Sequence, residues 1–144
     1  MKVYAWVENG QLFTTEDKNL APSDAIEFEV ESFEDLIYDG SQIRLKTQDE
    51  KLQELKAQKL SELKTYVASL LAQTDYVITK IAEAQIRNDM EEVEALKQKY
   101  LAQLQQREAI RAWNEQMKQS IKNAQSLDEL LSLEIKFEEP PNAS

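Results

Sequence analysis

The alternation of apolar and polar residues predicts strands at the start of the chain. Residues 3–7 and 11–15 are rich in β-branched and aromatic side chains, and they flank Asn9-Gly10. An Asn-Gly pair between such runs is the strongest short-range signal for a hairpin, because a type I′ turn needs positive φ at both positions. This turn sets a register in which Trp6 faces Phe13.

Two further strands are predicted before residue 47. Residues 26–31 alternate strictly between apolar residues and glutamate, a pattern typical of a half-buried strand whose acidic side chains face water. A turn over residues 33–37 and the Asp39-Gly40 pair then lead to a strand over residues 42–46. We therefore expect residues 1–46 to form a small antiparallel β-meander of three or four strands.

A helical period of apolar residues follows from residue 47. A heptad seam, with spacings of three and four residues, is formed by Leu60, Leu63, Val67, Leu70, Thr74, Val77 and Ile81. The seam predicts a helix over residues 47–73. Because Thr74 and Asp75 are both good N-cap residues, the chain either starts a second helix there or continues as one helix to about Ile86.

A second long helix is predicted from Asp89 to Asn123, after a turn at residues 87–89 in which Asn88 caps the helix. It carries two apolar stripes, one of Val93, Leu96, Tyr100 and Leu104 and one of Ile110, Trp113, Met117 and Ile121. Extended at about 3.6 residues per turn, the first stripe reaches Arg107 and Arg111 rather than Ile110. We therefore expect the two halves of this helix to pack against different partners.

The heptad seam has two interpretations. It either packs antiparallel against the stripe from Val93 to Leu104 or forms a homo-oligomeric coiled coil. The connecting loop has only a few residues, which favours an antiparallel hairpin within the chain. Two helices still leave one side of each uncovered, so partner helices from other copies or from another protein would cover it.

The last part of the chain begins with a capping box at residues 126–129, which predicts a short helix up to Leu133. Leu133, Ile135 and Phe137 then alternate as in a last strand that rejoins the N-terminal sheet, and Pro140-Pro141 ends the ordered structure. The predicted fold is therefore α+β. It comprises a small acidic β module (residues 1–46), a long coiled-coil-like helical hairpin (residues 47–125), and a short capped helix with a frayed acidic tail (residues 126–144).

Composition removes most catalytic chemistry. The chain has no His and no Cys, which excludes histidine acid–base catalysis, thiol nucleophiles, disulfides and zinc sites built on these residues. Its two glycines, Gly10 and Gly40, are too far apart for a phosphate-binding loop. The acidic groups at residues 27–31 and 91–94 fit a solvated strand face and the first turn of a helix, where acids are favourable. We expect no enzyme activity, no metal and no cofactor.

The formal net charge of −10 is concentrated at the two ends of the chain. Residues 1–46 carry 4 basic and 10 acidic side chains, residues 47–125 carry 12 of each, and residues 126–144 carry 1 and 5. Without a basic stripe we expect no nucleic-acid binding. Glu8 interrupts the run that a signal peptide needs, and no apolar stretch is long enough to span a bilayer. We expect no N-terminal export signal and no membrane insertion.

Two positions carry side chains that are typical of interfaces. Trp113 shares a helical stripe with Ile110, so it is either a core anchor or, together with Arg111, part of a partner-binding patch. Aromatic residues and arginine are enriched at interface hot spots. Tyr76, beside Asp75, is either a packed aromatic residue that follows a helix cap or a contact site.

A resemblance to a known family lies in residues 55–115. The segment Leu70-Leu71-Ala72-Gln73-Thr74-Asp75-Tyr76-Val77 is followed at a distance by Tyr100, Arg107, Arg111 and Trp113. This pattern resembles the C-terminal region of small tailed-bacteriophage proteins described as tail assembly chaperones or tail-fibre assembly proteins. In that family a Leu-Leu-x-x-Thr-Asp-aromatic segment precedes a helix with an aromatic residue and a pair of arginines. The acidic, β-rich start is similar to the N-terminal modules of such proteins.

The resemblance implies protein binding without chemistry, with a phage tail or tail-fibre protein as the partner. The matching contact positions are Asp75, Tyr76, Arg111 and Trp113. The first hypothesis is a non-enzymatic tail accessory protein that acts like a chaperone in the host cytoplasm during assembly. The second is a virion structural component that oligomerises through its helices and stays in the tail or fibre. A remote third is an acidic nucleic-acid mimic that inhibits a host DNA-binding enzyme.

Overall fold

A computed structural model describes residues 1–139 of the chain. The chain divides into two compact units, one over Met1–Lys51 and a second that begins at Leu52. The first unit holds the strands and the second holds most of the helical residues. The predicted α+β fold is confirmed, with an N-terminal antiparallel meander followed by long helices and a short C-terminal helix.

The first unit is built on a three-stranded antiparallel sheet. Its strands are β1 (Lys2–Glu8), β2 (Gln11–Thr15) and β3 (Ile26–Glu29), in the order β2-β1-β3. Asn9 and Gly10 form the turn between β1 and β2 with φ values of 52° and 77°. The predicted register is confirmed, because Trp6 pairs with Phe13 and their rings stack with centroids 5.9 Å apart.

A second, two-stranded sheet completes the first unit. It pairs β4 (Leu36–Tyr38) with β5 (Ile43–Leu45) in an antiparallel register. The first unit therefore has five strands, whereas the sequence predicted three or four. The turn expected over residues 33–37 is a 3₁₀ turn, Phe33–Asp35, and the strand begins directly after it. The buried core of this unit consists of Val3, Ala5, Val30 and Leu36.

Arg44 connects β5 to the start of the first helix. Its guanidinium donates one hydrogen bond to Asp39 Oδ2 at 2.9 Å. It also forms a bidentate pair with the Glu50 carboxylate, with distances of 2.6 and 3.0 Å. The pKa of Asp39 is lowered to about 2, first by the main-chain N–H groups of Gln42 and Ser41 and then by Arg44. The pKa of Glu50 is also lowered to about 2, and here Arg44 is the main cause.

Five helices follow the strands in the described part of the chain. They are α1 (Gln48–Ala72), α2 (Asp75–Ile86), α3 (Met90–Lys99), α4 (Leu101–Asn123) and α5 (Leu127–Ser132). The helix predicted over residues 47–73 is confirmed. Of the two alternatives for residues 47–86, the structure has the two-helix one, with the break at Thr74.

Asp89, rather than Asn88, caps the helix after the turn. The Asp89 carboxylate accepts a hydrogen bond from the main-chain N–H of Glu92 at 3.1 Å. Asn88 instead has a φ of 59° and follows the end of α2, the position at which a left-handed residue commonly terminates a helix. The predicted cap at Asn88 is therefore wrong by one residue.

The helix predicted from Asp89 to Asn123 is divided at Tyr100. This residue has φ −108° and ψ 25°, and it ends α3 and begins α4. Backbone hydrogen bonds still join Tyr100 to Leu96 and to Leu104, each at 3.0 Å. The interruption is therefore a local distortion of the helical path rather than a loop.

The helical unit has two buried cores, as the two offset stripes predict. The main core consists of Leu63, Val67, Ile110, Ile121, Ala124 and Leu130, and half-buried residues that include Leu60, Leu70, Trp113 and Met117 pack against it. The tip core consists of Val77, Ile81, Ala84 and Val93, with Leu96, Tyr100 and Leu104 packed against it. The heptad seam thus packs within the chain. Its first half, from Leu60 to Leu70, packs with the second stripe, and its second half, Val77 and Ile81, packs with the first stripe.

The residues after α5 do not form the predicted strand. Ser126 caps α5 by accepting a hydrogen bond from the Glu129 N–H at 3.1 Å, but residues 133–139 have no regular secondary structure. Instead of joining the sheet, Leu133, Ile135 and Phe137 pack against the main core of the helical unit. The predicted chain end at Pro140-Pro141 lies outside the described residues.

Candidate functional site

The segment that carries the family resemblance forms the junction between α1 and α2. The main-chain N–H of Thr74 donates to the Leu71 oxygen at 3.1 Å, and that of Gln73 donates to the Leu70 oxygen at 3.3 Å. These tightened bonds end α1. The Thr74 hydroxyl makes no cap bond to α2 and donates to the Leu71 oxygen at 3.3 Å. The Thr74 side chain therefore points back towards α1 and does not cap α2.

Arg107 of α4 brings together the polar groups of this junction. Its Nη1 lies 2.8 Å from the Leu71 main-chain oxygen, 3.0 Å from Thr74 Oγ1 and 3.0 Å from Asp75 Oδ1. A cation is favourable at the C-terminus of α1, where unpaired carbonyls carry partial negative charge. Asp75 is likewise favourable in the first turn of α2. A single guanidinium group thus stabilises the end of one helix and the start of the next.

Burial differs sharply between the partners of this junction. The Arg107 side chain is 8% exposed, whereas that of Asp75 is 62% exposed. Thr74 is buried as well. Solvent screens the ion pair on the Asp75 side, so the part-buried hydrogen bond to Leu71 and the buried one to Thr74 contribute more to stability. The Nε atom of Arg107 is buried and has no acceptor among residues 1–139.

Tyr76 lies beside the junction and contacts the second break in the hairpin. Its ring is edge-on to that of Tyr100, with centroids 5.7 Å apart. Lys80 and Lys99 place their ammonium groups 5.8 and 5.3 Å from the Tyr100 ring centroid. Burial raises the pKa of the Tyr100 hydroxyl, but hydrogen bonds and charges from Lys80 and Lys99 outweigh it and lower the pKa overall.

The structure does not gather the four predicted contact residues into one site. Asp75 and Tyr76 lie at the junction, and Tyr76 is 46% exposed. Arg111 lies on the surface of α4 and pairs with Glu108 at 3.3 Å. Trp113 is half-buried against the main core, edge-on to Tyr66 and Phe137 with centroid distances of 5.8 and 5.6 Å. This packing fits the anchor interpretation of Trp113, and a contact of Trp113 with a partner stays a prediction.

Arg107 belongs to this site but is not among the four contact residues predicted from the sequence. It lies in the polar run of residues 105–108, which reads as a solvated gap between two apolar stripes. The signal was the extension of the first stripe, which reaches position 107 at helical spacing. An arginine at an inward position marks a buried polar partner, since a buried charge needs hydrogen-bond acceptors.

The described residues contain no group of three or more acidic side chains placed to hold a metal ion. None of the helices in residues 1–139 is long and apolar enough to span a bilayer. Comparison of the chain with protein-family models, with curated proteins and with solved structures finds no match. Support for a function therefore comes from the geometry of the junction and of the surfaces around it.

Proposed function

We propose that this protein is a non-enzymatic accessory protein of bacteriophage tail assembly, which binds tail or tail-fibre subunits in the manner of a chaperone. It acts in the host cytoplasm while the tail is built. The supporting observation is that Thr74, Asp75 and Arg107, three residues on which the family resemblance rests, meet in a single hydrogen-bonded junction. Arg107 thus lies 32 and 33 positions from Asp75 and Thr74 in the chain, yet the three side chains form one junction.

Two exposed groups at the junction provide a contact surface for the partner. The Asp75 carboxylate is held in place by Arg107, yet most of it faces solvent. The Tyr76 ring is braced by Tyr100 and is nearly half exposed. A rigid aromatic ring next to an oriented carboxylate suits protein recognition, since both groups lose little conformational freedom on binding.

Co-expression with the tail or fibre protein encoded beside this chain tests the proposal. We expect the wild-type chain to raise the soluble fraction of that partner and to elute with it on size exclusion. Tyr76→Ala should weaken the complex, because it removes the exposed aromatic contact. Leu131→Ala is the matched control, since Leu131 is an apolar side chain that is 64% exposed on α5. An unchanged soluble fraction and no complex would count against the proposal.

A second candidate is a virion structural component that stays in the tail or fibre. It is favoured by the apolar end of the hairpin, where Ile86 is 80% and Met90 60% exposed, because such side chains are typical of lasting contacts between subunits. Mass spectrometry of purified virions separates the two candidates. A chaperone is absent from the particle, whereas a structural component is present in fixed proportion to the tail proteins.

A further inference from the structure

One flank of the α1/α4 pair is occupied by the chain itself. Lys59 donates to the main-chain oxygen of Leu133 at 3.3 Å, and the N–H of Phe137 donates to the Tyr66 hydroxyl at 3.1 Å. The ring of Trp113 lies edge-on to that of Phe137. The segment after α5 therefore lies along this flank and packs on the main core.

The other flank carries an open groove of about 400 Å³. It is lined by Leu60, Leu63, Lys64 and Val67 of α1 and by Asn114, Lys118 and Lys122 of α4. At about 100° per residue, Lys59 and Tyr66 lie on one side of Leu63, whereas Leu60 and Lys64 lie on the other. The groove is thus the uncovered counterpart of the flank that the C-terminal segment occupies.

All charged side chains that line the groove are lysines. Lys64 and Lys122 have no ion-pair partner among residues 1–139. Lys118 pairs with Glu115 at 3.3 Å, an exposed contact that leaves most of the lysine charge available. In a chain with a net charge of −10, this is a locally positive rim around an apolar floor. Its charge is complementary to an acidic, not a basic, occupant.

Asn114 adds a polar requirement at the same place. Its side-chain oxygen Oδ1 is buried and accepts no hydrogen bond from residues 1–139. A buried acceptor without a donor is unfavourable, and such groups are nearly always satisfied in native structures. An occupant of the groove with a hydroxyl or amide donor would satisfy it.

We propose that this groove binds one amphipathic helix of a partner protein. Its apolar stripe lies on Leu60 and Val67, and its Asp and Glu side chains face Lys64, Lys118 and Lys122. The lining spans about two turns on each helix, and the four-residue spacing of Lys118 and Lys122 matches acids one turn apart on a third helix. This inference rests on the proposed protein-binding function. It adds which surface binds the partner and that the binding segment of the partner is acidic.

Two synthetic peptides serve as probes. The first is an amphipathic peptide of about 18 residues, long enough to form a helix, with leucines at helical spacing, glutamates beside them and one glutamine whose amide group can donate to Asn114. The second has lysine at each glutamate position. We expect the acidic peptide to bind about tenfold more tightly in fluorescence anisotropy, with the difference shrinking as salt is added. Equal affinity of the two peptides would overturn the proposal.

Charge reversal in the groove gives the matched test. The double variant Lys64→Glu with Lys122→Glu should weaken binding of the acidic peptide about tenfold. The control, Lys97→Glu with Lys136→Glu, changes the net charge equally at exposed positions outside the groove and should bind as the wild type does. Both variants should keep the wild-type circular dichroism spectrum. Equal weakening by the two variants would mean that net charge, and not the groove, governs binding.

Two measurements separate the occupants and the two proposals. Sedimentation should show that the groove variant leaves self-association unchanged, and a dimer that it dissociates would make a second copy the occupant. If the tail or fibre protein binds the groove variant as well as the wild type, the groove proposal fails and the proposed function stands. If neither the wild type nor the groove variant binds the tail or fibre protein, while the acidic peptide binds in the groove, the proposed function fails and the groove proposal stands.

Discussion

Nη1 of Arg107 lies 2.8 Å from the main-chain oxygen of Leu71, 36 positions earlier in the chain. The contact joins the second turn of α4 to the last turn of α1. It supplies a charged donor to a carbonyl at the end of α1, where carbonyls lack partners within their own helix. This contact, rather than a side-chain cap, makes the break at Thr74 a stable feature of the hairpin.

Replacement of Arg107 by methionine should destabilise the helical unit by about 2–3 kcal/mol, because the Leu71 oxygen loses its charged donor and the buried Thr74 hydroxyl oxygen loses its donor. Urea unfolding followed by circular dichroism measures the change. Arg111→Met is the matched control. Among residues 1–139, Arg111 makes only an exposed pair with Glu108, so its loss should cost less than about 0.5 kcal/mol. Equal effects of the two variants would contradict the junction described above.

Asp75→Asn should cost less than about 1 kcal/mol, because the carboxylate is 62% exposed and its attraction to Arg107 is screened by solvent. Arg107 keeps the Leu71 and Thr74 oxygens as acceptors in this variant. The same unfolding measurement applies. A loss as large as that of Arg107→Met would show that the ion pair, and not the buried hydrogen bonds, holds the junction.

Replacement of Arg44 by methionine should raise the pKa of Glu50 more than that of Asp39. Arg44 is the main cause of the low pKa of Glu50, whereas main-chain N–H groups are the leading cause at Asp39 and stay in place. Carbon-detected NMR titration of the two carboxyl groups measures both values. The prediction fails if the two pKa values rise equally.

The first unit should lose stability in acid. The folded pKa values of Asp39 and Glu50 are about 2, below their ordinary values of 3.8 and 4.5. The unfolded chain therefore binds more protons, so the stabilisation is fully present above the ordinary values and is lost as the pH falls towards about 2. Thermal unfolding between these limits, monitored by tryptophan fluorescence, measures the loss. In Arg44→Met the acid dependence should be weaker.

Adjacent leucines of α5 provide a test of the main core. Leu130 is fully buried, whereas Leu131 is 64% exposed. Leu130→Ala should cost about 2–5 kcal/mol, since it leaves a cavity in the core. Leu131→Ala should cost less than about 0.5 kcal/mol. Urea unfolding compares the two, and similar losses would mean that α5 does not dock in the way described.

Local signals in the sequence predicted much of the fold. Asn9-Gly10 determines the hairpin register through backbone conformation alone, and Ser126 caps α5 through a bond within one turn. The two offset stripes predicted two packing environments. In each case the deciding interaction lies within a few residues, so the pattern and its cause are both visible in the sequence.

Long-range contacts decided the features that sequence reasoning missed. Arg107 is buried because its acceptors, at residues 71–75, approach it only when the hairpin closes. The alternation of residues 133–137 is typical of a strand, yet Tyr66 supplies a hydroxyl to the Phe137 N–H and the helices supply the apolar surface. Alternating side chains specify a buried face but not the element that buries it.

The breaks at Thr74 and Tyr100 divide the hairpin into two segments. Beyond these breaks, α2 and α3 are held by a tip core of only four buried residues. The main core, with α5 packed into it, holds α1 and α4. Because the tip has the smaller buried core, we expect its opening to cost less free energy than global unfolding and its amide protons to exchange with solvent before those of the main core. The two separate clusters of buried residues therefore predict two steps of opening within one hairpin.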